Sequence, residues 1–315
     1  MATEERDTQV WDSTRRWVES QLESGERITD VAWFDGGLTA HVRRISVTGP
    51  HSDRDLVLRS FTSDGFRQRA ADLLTQEARL LRLLDDADGV PAPHLVAVDP
   101  AAAHTDDPSL LMTALPGEPC LDPVGAEWRS ADLAAQLVAI HRLDVGTADR
   151  PRPFRAWIDP EDFALPDTRR PLWAAARDVI RGPRPEVVGI FMHRDFHPGN
   201  VLFHDGRITG VVDWVETSWG PADLDVAHCA TNLAMLYGAD AGLAFAHHYQ
   251  SAGGQLAATP QDRQYWRLID ALAFAGETLR WVTFAWNRLG RTDLTLDVMT
   301  ARLEDYVAAV LDTAE

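Results

Sequence analysis

One polar segment followed by two apolar strands constrains this chain more than any other feature. Residues 193–200 read HRDFHPGN, an apolar hairpin over 201–212 follows, and Asp213 comes thirteen residues after Asn200. Two short strands joined by a tight turn bring their two ends together, so the hairpin predicts Asn200 and Asp213 side by side. Amide and carboxylate oxygens are ligands that Mg²⁺ accepts. The pattern therefore predicts a magnesium site close to Asp195.

The same segment predicts a chemistry. The pattern H-R-D-x-x-x-x-N is typical of kinase catalytic loops, in which the Asp accepts the proton of a substrate hydroxyl and the Asn binds magnesium. We therefore predict Asp195 as the catalytic base, Asn200 and Asp213 as metal ligands, and His193 as a catalytic-loop residue that braces the loop by hydrogen bonds. The alternative is that Asp195 and Asn200 merely cap a turn and Asp213 merely ends a strand.

Local patterns predict two lobes of different composition. Alternating apolar residues bounded by turn signals predict strands, and apolar residues three and four apart predict helices. The strands are expected at 28–34, 40–47, 55–61, 94–98 and 109–113. The main helices are expected at 8–24, 66–84, 130–143 and 263–289, the last as one helix or a pair, with an irregular excursion over 144–170. We predict an α+β fold with a β-rich lobe over 1–112, a hinge over 113–117 and a mostly helical lobe over 118–315.

Composition excludes several classes of protein. The net charge of −18 argues against a nucleic acid or an anionic membrane as partner, and it is compatible with a cationic substrate. No apolar run reaches the length of a transmembrane helix, and the acidic start is unlike a signal peptide. Cys120 and Cys229 are far apart and are expected to be reduced thiols. We predict a cytoplasmic monomer or homodimer.

Residues 191–236, with HRDFHPGN and GVVDW, resemble the aminoglycoside phosphotransferase and choline kinase group, and the resemblance extends over most of the chain. It implies a bilobal protein-kinase-like fold and a small-molecule kinase. Such a kinase transfers the γ-phosphoryl of ATP or GTP, with Mg²⁺, to a hydroxyl of an acceptor such as an aminoglycoside-like antibiotic. Asp225 matches a family aspartate that supports the catalytic loop, so its implied role is structural support.

The resemblance also implies a nucleotide site. The residues implied are two hairpin glycines near the phosphates, a basic residue with its acidic partner, and three hinge residues near adenine: Gly36, Gly37, Arg59, Glu77, Met112, Thr113 and Leu115. The glycines are equally typical of any tight hairpin. Kinases generally have lysine at the position of Arg59, whereas all 30 basic residues of this chain are arginine. Two alternatives follow. In the first, Arg59 is paired with Glu77 and binds the phosphates. In the second, the protein is a catalytically impaired nucleotide-binding pseudokinase.

A second group of acidic and aromatic residues is a candidate acceptor wall. It comprises Glu216, Trp219, Asp270, Phe274, Glu277 and Trp281. The last four recur at i, i+4, i+7 and i+11, which places them on one face of a continuous helix. Buried carboxylates are costly unless they face a polar cavity or a partner, so the acids either line the acceptor site or pair with arginines such as Arg267 and Arg280.

One rival enzyme class uses the same residues differently. His193 and Asp195 with a distant histidine such as His247 match the ligand set of a facial-triad iron oxygenase. That class leaves Asn200 and Asp213 without a function.

Overall fold

The computed structural model describes residues 11–33, 40–62 and 64–313. The chain forms two compact units, residues Met1–Pro116 and Gly117–Glu315. The division between them lies inside segment 113–117, the predicted hinge. Gly36 and Gly37, predicted near the nucleotide phosphates, lie outside the described residues. Among the described residues, no helix combines the length and the apolarity that spanning a membrane requires.

The first unit contains a five-stranded antiparallel sheet. Its strand order is β1-β2-β3-β5-β4. The strands are β1 (Arg27–Trp33), β2 (His41–Thr48), β3 (Asp53–Ser60), β4 (Leu95–Asp99) and β5 (Ser109–Thr113). Two helices accompany the sheet, α1 (Asp12–Glu19) and α2 (Asp64–Leu84).

Strand alternation accounts for the core of this unit. Ile45 and Val47 on β2, and Leu56 and Leu58 on β3, are two residues apart, so each pair lies on one face of the sheet. These residues are buried with Trp17 and its neighbour on α1 in one apolar cluster. The predicted strands and helices are all present here, with ends shifted by a few residues.

The second unit is mostly helical. Its α-helices are α3 (Ala126–His141), α4 (Arg170–Ile180), α5 (Ala222–Tyr237), α6 (Ala239–Ser251), α7 (Pro260–Ala273), α8 (Glu277–Arg288) and α9 (Leu296–Asp312). Two small sheets join them, one pairing β7 (Ile190–Met192) with β10 (Ser218–Gly220). The other has the order β6-β8-β9, from β6 (Glu118–Pro119), β8 (Val201–His204) and β9 (Arg207–Val211).

Helix α5 lies at the centre of this unit. Every residue from Asp223 to Leu236 is buried, and the helix packs against α6, α7 and α9. A helix that is buried on all sides carries polar residues at a cost unless each has a partner. The polar residues of α5 are therefore the first place to look for a site.

The region 263–289 corrects one expectation. It forms two helices that are separated at Phe274–Gly276, and Gly276 has φ +70° and ψ −127°, a conformation that glycine adopts far more readily than other residues. The periodicity argument assumed a continuous helix. Because the helix ends at Ala273, Asp270 and Phe274 do not share one helical face with Glu277 and Trp281.

Candidate active site

The loop 193–200 joins β7 to β8 and is anchored by Asp225 at the start of α5. The Asp225 carboxylate accepts the backbone N–H of His193 at 2.8 Å and that of Arg194 at 2.7 Å. His141 Nε2, at the end of α3, lies 3.1 Å from the same carboxylate. Burial alone would raise the pKa of Asp225, but the hydrogen bond and charge of His141 lower it below its ordinary value. The carboxylate is therefore an ionised anchor that holds the loop backbone.

We expect Asp225→Asn to destabilise the protein by about 2–4 kcal/mol, because an amide nitrogen replaces one acceptor oxygen and faces a buried N–H donor. Chemical denaturation measures this change in the free energy of unfolding. Asp240→Asn, an exposed aspartate at the start of α6, is the control and should be nearly neutral. Equal stability of the two variants would contradict the anchoring role.

His193 is fully buried and connects the loop to the hairpin. Its Nε2 lies 3.0 Å from the carbonyl oxygen of Val212, and its Nδ1 accepts the backbone N–H of Asp195 at 3.3 Å. Burial lowers the pKa of His193, so the ring is neutral at pH 7 and donates through Nε2. These contacts support the bracing role predicted for His193. They also commit both ring nitrogens, so His193 is not available as a metal ligand.

Both carboxylate oxygens of Asp195 are held in place. Oδ1 lies 3.0 Å from His228 Nε2, and Oδ2 accepts Asn200 Nδ2 at 3.2 Å. The same amide nitrogen donates to the carbonyl oxygen of Asp195 at 2.9 Å. The side chain remains 28% exposed, so a substrate hydroxyl can reach it. Burial would raise the pKa of Asp195, but the hydrogen bond from His228 and the nearby histidines lower it.

His228, on α5, links Asp195 to a second carboxylate, that of the buried Asp270. Its Nδ1 lies 3.2 Å from Asp270 Oδ1 on α7. Burial would lower the pKa of His228, but the charge of Asp270 and the hydrogen bonds to Asp195 and Asp270 raise it to about 9. Arg194 Nη1 lies 3.6 Å from the same Asp270 oxygen, and its guanidinium stacks on Trp157. Four groups of alternating charge are therefore in contact one after another, in the order Arg194, Asp270, His228 and Asp195.

His197 is the third imidazole near Asp195, at 3.7 Å from Nε2 to Oδ1. Asp195, His197 and His228 could each direct one ligand atom at a metal ion. However, His197 Nδ1 accepts the backbone N–H of Gly199 at 3.0 Å, so a neutral ring carries its proton on Nε2. Burial lowers the pKa of His197 to about 4, which makes the ring neutral at pH 7. In this arrangement the Nε2–H of His197 faces Asp195 at a distance beyond that of a hydrogen bond, and neither ring nitrogen offers a lone pair to a metal ion.

Asn200 and Asp213, the predicted metal ligands, lie at the two ends of the hairpin. The Val212 N–H donates to the Asn200 carbonyl at 2.9 Å, so the hairpin brings the residue before Asp213 against Asn200. The Nδ2 of Asn200 is directed to Asp195, which turns its amide oxygen the other way. Asp213 adopts φ +66°, a left-handed conformation that Asp tolerates better than most residues. One amide oxygen and one carboxylate fit a hard cation such as Mg²⁺.

In the first unit, Arg59 and Glu77 form the ion pair that the sequence predicted as one alternative. Arg59 Nη1 lies 2.9 Å from one carboxylate oxygen and 3.1 Å from the other, and both residues are buried. Met112 and Thr113 end β5, and Leu115 follows in the next loop, half-buried. Backbone atoms, not side chains, define a hinge of this kind, so these three positions remain predictions.

The proposed acceptor residues divide into three groups. Asp270 is buried against His228 and Arg194, and Phe274 packs on the His228 ring with centroids 5.4 Å apart. Glu216 forms an ion pair with Arg152 at 2.8 Å, and Trp219 stacks with the Arg150 guanidinium. Glu277 and Trp281 are exposed on α8. The acidic members therefore have different environments instead of forming one wall.

Sequence reasoning missed three residues around Asp195. His228 follows Asp225 by three positions on α5, a spacing that places both on one helix face, so this signal was present in the sequence. Trp157 contacts the His228 ring edge-on with centroids 4.9 Å apart, and Trp286 contacts His197 with centroids 5.4 Å apart. These tryptophans come from distant parts of the chain, and no local pattern indicates their contacts.

Comparisons with known proteins agree with this geometry. Residues 34–269 match the model of the phosphotransferase enzyme family, APH. A protein from Ralstonia eutropha JMP134, assigned as an aminoglycoside phosphotransferase, superposes with a TM-score of 0.65 at 16% identity, covering 96% of this chain and 98% of that chain. Macrolide 2′-phosphotransferase MphH from Brachybacterium faecium superposes with a TM-score of 0.60 at 18% identity, covering 93% of this chain and 98% of that chain. A variant of aminoglycoside phosphotransferase APH(4)-Ia in complex with ADP and hygromycin B superposes with a TM-score of 0.59 at 18% identity, covering 96% of this chain and 98% of that chain. No curated protein sequence matches the chain.

The fold is shared with aminoglycoside and macrolide phosphotransferases, and the family model defines the class of protein as a phosphotransferase. The chain belongs to the phosphotransferase enzyme family, APH, whose model covers most of it. The predicted α+β fold, the family resemblance and the phosphotransferase class are confirmed. The iron-oxygenase alternative is wrong, because the family is that of phosphotransferases, His193 is committed to the loop and hairpin, and His247 is exposed on α6.

Proposed function

We propose that this protein transfers the γ-phosphoryl of ATP or GTP to a hydroxyl of a small, amine-bearing acceptor. The observation that carries the proposal is the Asp195 carboxylate, which is partly exposed while His228 and Asn200 each hold one of its oxygens. Such a carboxylate is oriented to accept the proton of the acceptor hydroxyl. At the same time the hydroxyl oxygen attacks the γ-phosphorus, and the nucleoside diphosphate leaves.

Asn200 and Asp213 are the residues that would hold Mg²⁺. When bound, the ion supplies positive charge against the phosphate oxygens. The contribution of the chain is to orient the ligands: Asn200 is fixed by its two bonds to Asp195, and Asp213 by the end of the hairpin. Arg59, paired with Glu77, is the proposed phosphate-binding residue of the first unit. Arginine binds phosphate through a planar fork, so it suits this role with a geometry different from that of lysine.

A cleft in the second unit is the proposed acceptor site. It has a volume of about 660 Å³, within the range of small-molecule pockets. The turn after α7 connects it to His228, the neighbour of Asp195, because Phe274 contacts His228 and the next two residues line the cleft. Its walls combine apolar and acidic side chains, including Trp173, Leu279, Leu303, Glu277, Asp297 and Glu304.

The charge of this cleft favours a cationic acceptor. Three carboxylates and one cation, Arg280, line it. Glu304 is buried, and its Oε1 accepts the Trp173 indole N–H at 3.2 Å, which fixes a negative group beside an aromatic ring. A protonated amine gains ion-pair and cation–π contacts in such surroundings, worth on the order of 1–2 kcal/mol each when desolvated. One structural relative, a variant of aminoglycoside phosphotransferase APH(4)-Ia, binds hygromycin B together with ADP.

The test is an acceptor panel in a nucleotide-consumption assay. ATP and GTP are each offered with aminoglycosides, amino alcohols, macrolides, nucleosides and sugars. We expect turnover with hydroxyl compounds that carry amines, and none without added Mg²⁺. Turnover of neutral alcohols with no turnover of cationic ones would overturn the acceptor class. Nucleotide binding without turnover of any acceptor would support the pseudokinase alternative that Arg59 raises.

We expect Glu277→Gln to raise the acceptor KM several-fold and to leave the nucleotide KM unchanged, because the substitution removes one negative charge from the cleft and little volume. Glu186→Gln, which neutralises an exposed glutamate elsewhere in this unit, is the matched control. Steady-state kinetics with each substrate varied in turn measure both constants. If the two variants have the same acceptor KM, Glu277 does not contact the acceptor.

A further inference from the structure

The buried residues beside Asp195 form a chain of hydrogen bonds that the catalytic-loop pattern does not contain. Asp270 Oδ1 lies 3.2 Å from His228 Nδ1, and His228 Nε2 lies 3.0 Å from Asp195 Oδ1. His228 and Asp270 come from the two packed helices α5 and α7, and both are almost fully buried. Each donor and acceptor in the chain is thus positioned by helix packing rather than by a loop.

The orientation of the His228 ring is fixed from several sides. Trp157 contacts it edge-on, and Phe274 packs against it with the ring planes tilted by 30°. The Asn232 amide nitrogen, one helical turn further along α5, donates to the His228 carbonyl oxygen at 2.9 Å and lies 3.3 Å from Nε2, farther than Asp195 Oδ1. A ring held in this way can direct its Nε2–H at one point, and that point is Asp195 Oδ1.

The carboxylates around His228 favour the form in which both of its nitrogens are protonated. Asp195 and the neutral His197 face it from the catalytic loop, and Asp270 faces it from α7. Arg194 lies behind Asp270 and balances part of its charge. Two carboxylates at hydrogen-bond distance accept two N–H groups, so the imidazolium form satisfies both of them.

We propose that His228 is a positioning residue for phosphoryl transfer: clamped by Asp270, it donates Nε2–H to Asp195 Oδ1 and holds that carboxylate ready for the acceptor hydroxyl. The proposal rests on the proposed kinase function. Asn200 holds the other carboxylate oxygen, so His228 and Asn200 together restrict rotation about the Asp195 side-chain bonds. Each carboxylate oxygen has more than one lone pair, so a site for the incoming hydroxyl proton remains.

The kinetic test compares His228→Leu with His228→Gln. We expect His228→Leu to lower kcat by about 10–100-fold, the scale of loss from a misplaced catalytic group, with the nucleotide KM within about twofold of the wild type. His228→Gln retains one N–H donor at similar reach and should recover most of that loss. His247→Leu, which removes an exposed histidine from α6, should have wild-type kinetics.

A merely structural role predicts a different result. In that case His228→Leu and His228→Gln would lower thermal stability and activity together, without rescue by the amide donor. Asp270→Asn supplies a second variant of nearly unchanged volume, and we expect a smaller fall in kcat, because its amide oxygen still accepts from Nδ1. If His228→Leu is folded and keeps the kcat of the wild type, the proposal is wrong and the kinase function stands.

A measurement that does not depend on catalytic turnover tests the hydrogen-bond chain directly. In protein labelled with ¹⁵N-histidine, the signal that disappears in His228→Gln identifies His228. We expect both of its ring nitrogens to be protonated at pH 7.5. An unprotonated Nε2 overturns the proposal, because no donor would then face Asp195. A wild-type protein that phosphorylates no acceptor overturns the kinase function, and the positioning role with it.

Discussion

Replacing Asp195 with alanine is expected to lower kcat by about 10²–10⁴-fold, the usual contribution of a positioned base. In the proposed function this carboxylate receives the hydroxyl proton, and its oxygens are held by His228 and Asn200, so we expect no neighbouring side chain to take over its position. Nucleotide affinity should change little, because the base acts on the acceptor. Kinetic assays and calorimetric titration of the nucleotide measure the two effects separately.

Two further variants are compared with Asp195→Ala: one removes only the charge, and the other is a control. Asp195→Asn keeps the shape but loses the charge and should be nearly as inactive as the alanine variant. Asp205→Ala removes a highly exposed aspartate from the turn of the adjacent hairpin and should retain wild-type kcat. A loss of less than tenfold in Asp195→Ala would remove this residue from the role of base.

The second large effect is expected at the predicted metal ligands. Asp213→Asn should weaken the apparent affinity for Mg²⁺ on the order of 10–100-fold, since charge dominates the binding of a hard cation. Asn200→Ala should weaken it less, because the amide is neutral. The measurement is the dependence of turnover on Mg²⁺ concentration at saturating nucleotide.

The two ligand variants should also differ in their response to excess Mg²⁺. High Mg²⁺ should restore much of the kcat of Asp213→Asn. It should restore less in Asn200→Ala, because Asn200 also donates two hydrogen bonds to Asp195 and its loss frees the base. Unchanged Mg²⁺ dependence in both variants, or a nucleotide complex whose metal lies away from both residues, would refute the assignment.

The proposed contact with His228 orients Asp195 at the expense of its proton affinity. A carboxylate that accepts a hydrogen bond from an imidazolium has a lowered pKa and is a weaker base at equilibrium. In a loose phosphoryl-transfer transition state, the acceptor hydroxyl loses its proton late, so positioning contributes more than proton affinity. The arrangement is consistent with a base that mainly aligns the hydroxyl and takes its proton after bond formation has begun.

Local sequence was sufficient where the decisive interactions are local. Alternation over β2 and β3 and the spacing of leucines on α2 predicted these elements, because burial of one face follows directly from such periods. The HRDFHPGN segment and its hairpin predicted that Asn200 and Asp213 lie close together, and one hydrogen bond beside Asp213 joins the two ends of the hairpin. The Arg59–Glu77 ion pair was expected from resemblance, and the structure contains it.

Periodicity failed where a single backbone conformation interrupts it. The spacing of Asp270, Phe274, Glu277 and Trp281 fits one helical face, but the first helix ends at Ala273 and Gly276 redirects the chain before the next helix begins. Asp270 therefore lies beside His228, whereas Glu277 lines the cleft and Trp281 is 61% exposed. A glycine in a helical pattern is usually tolerated, so the sequence alone did not decide between one helix and a pair.

The sequence by itself determined the family, the class of reaction and the residues of the catalytic loop, because these depend on short segments whose geometry is local. The tertiary structure alone decided what surrounds Asp195. His228, Asp270, Trp157 and Trp286 come from three helices and an irregular segment, and they meet because apolar faces pack together in the second unit. Contacts between residues far apart in sequence depend on the packing of whole elements, which no local pattern specifies.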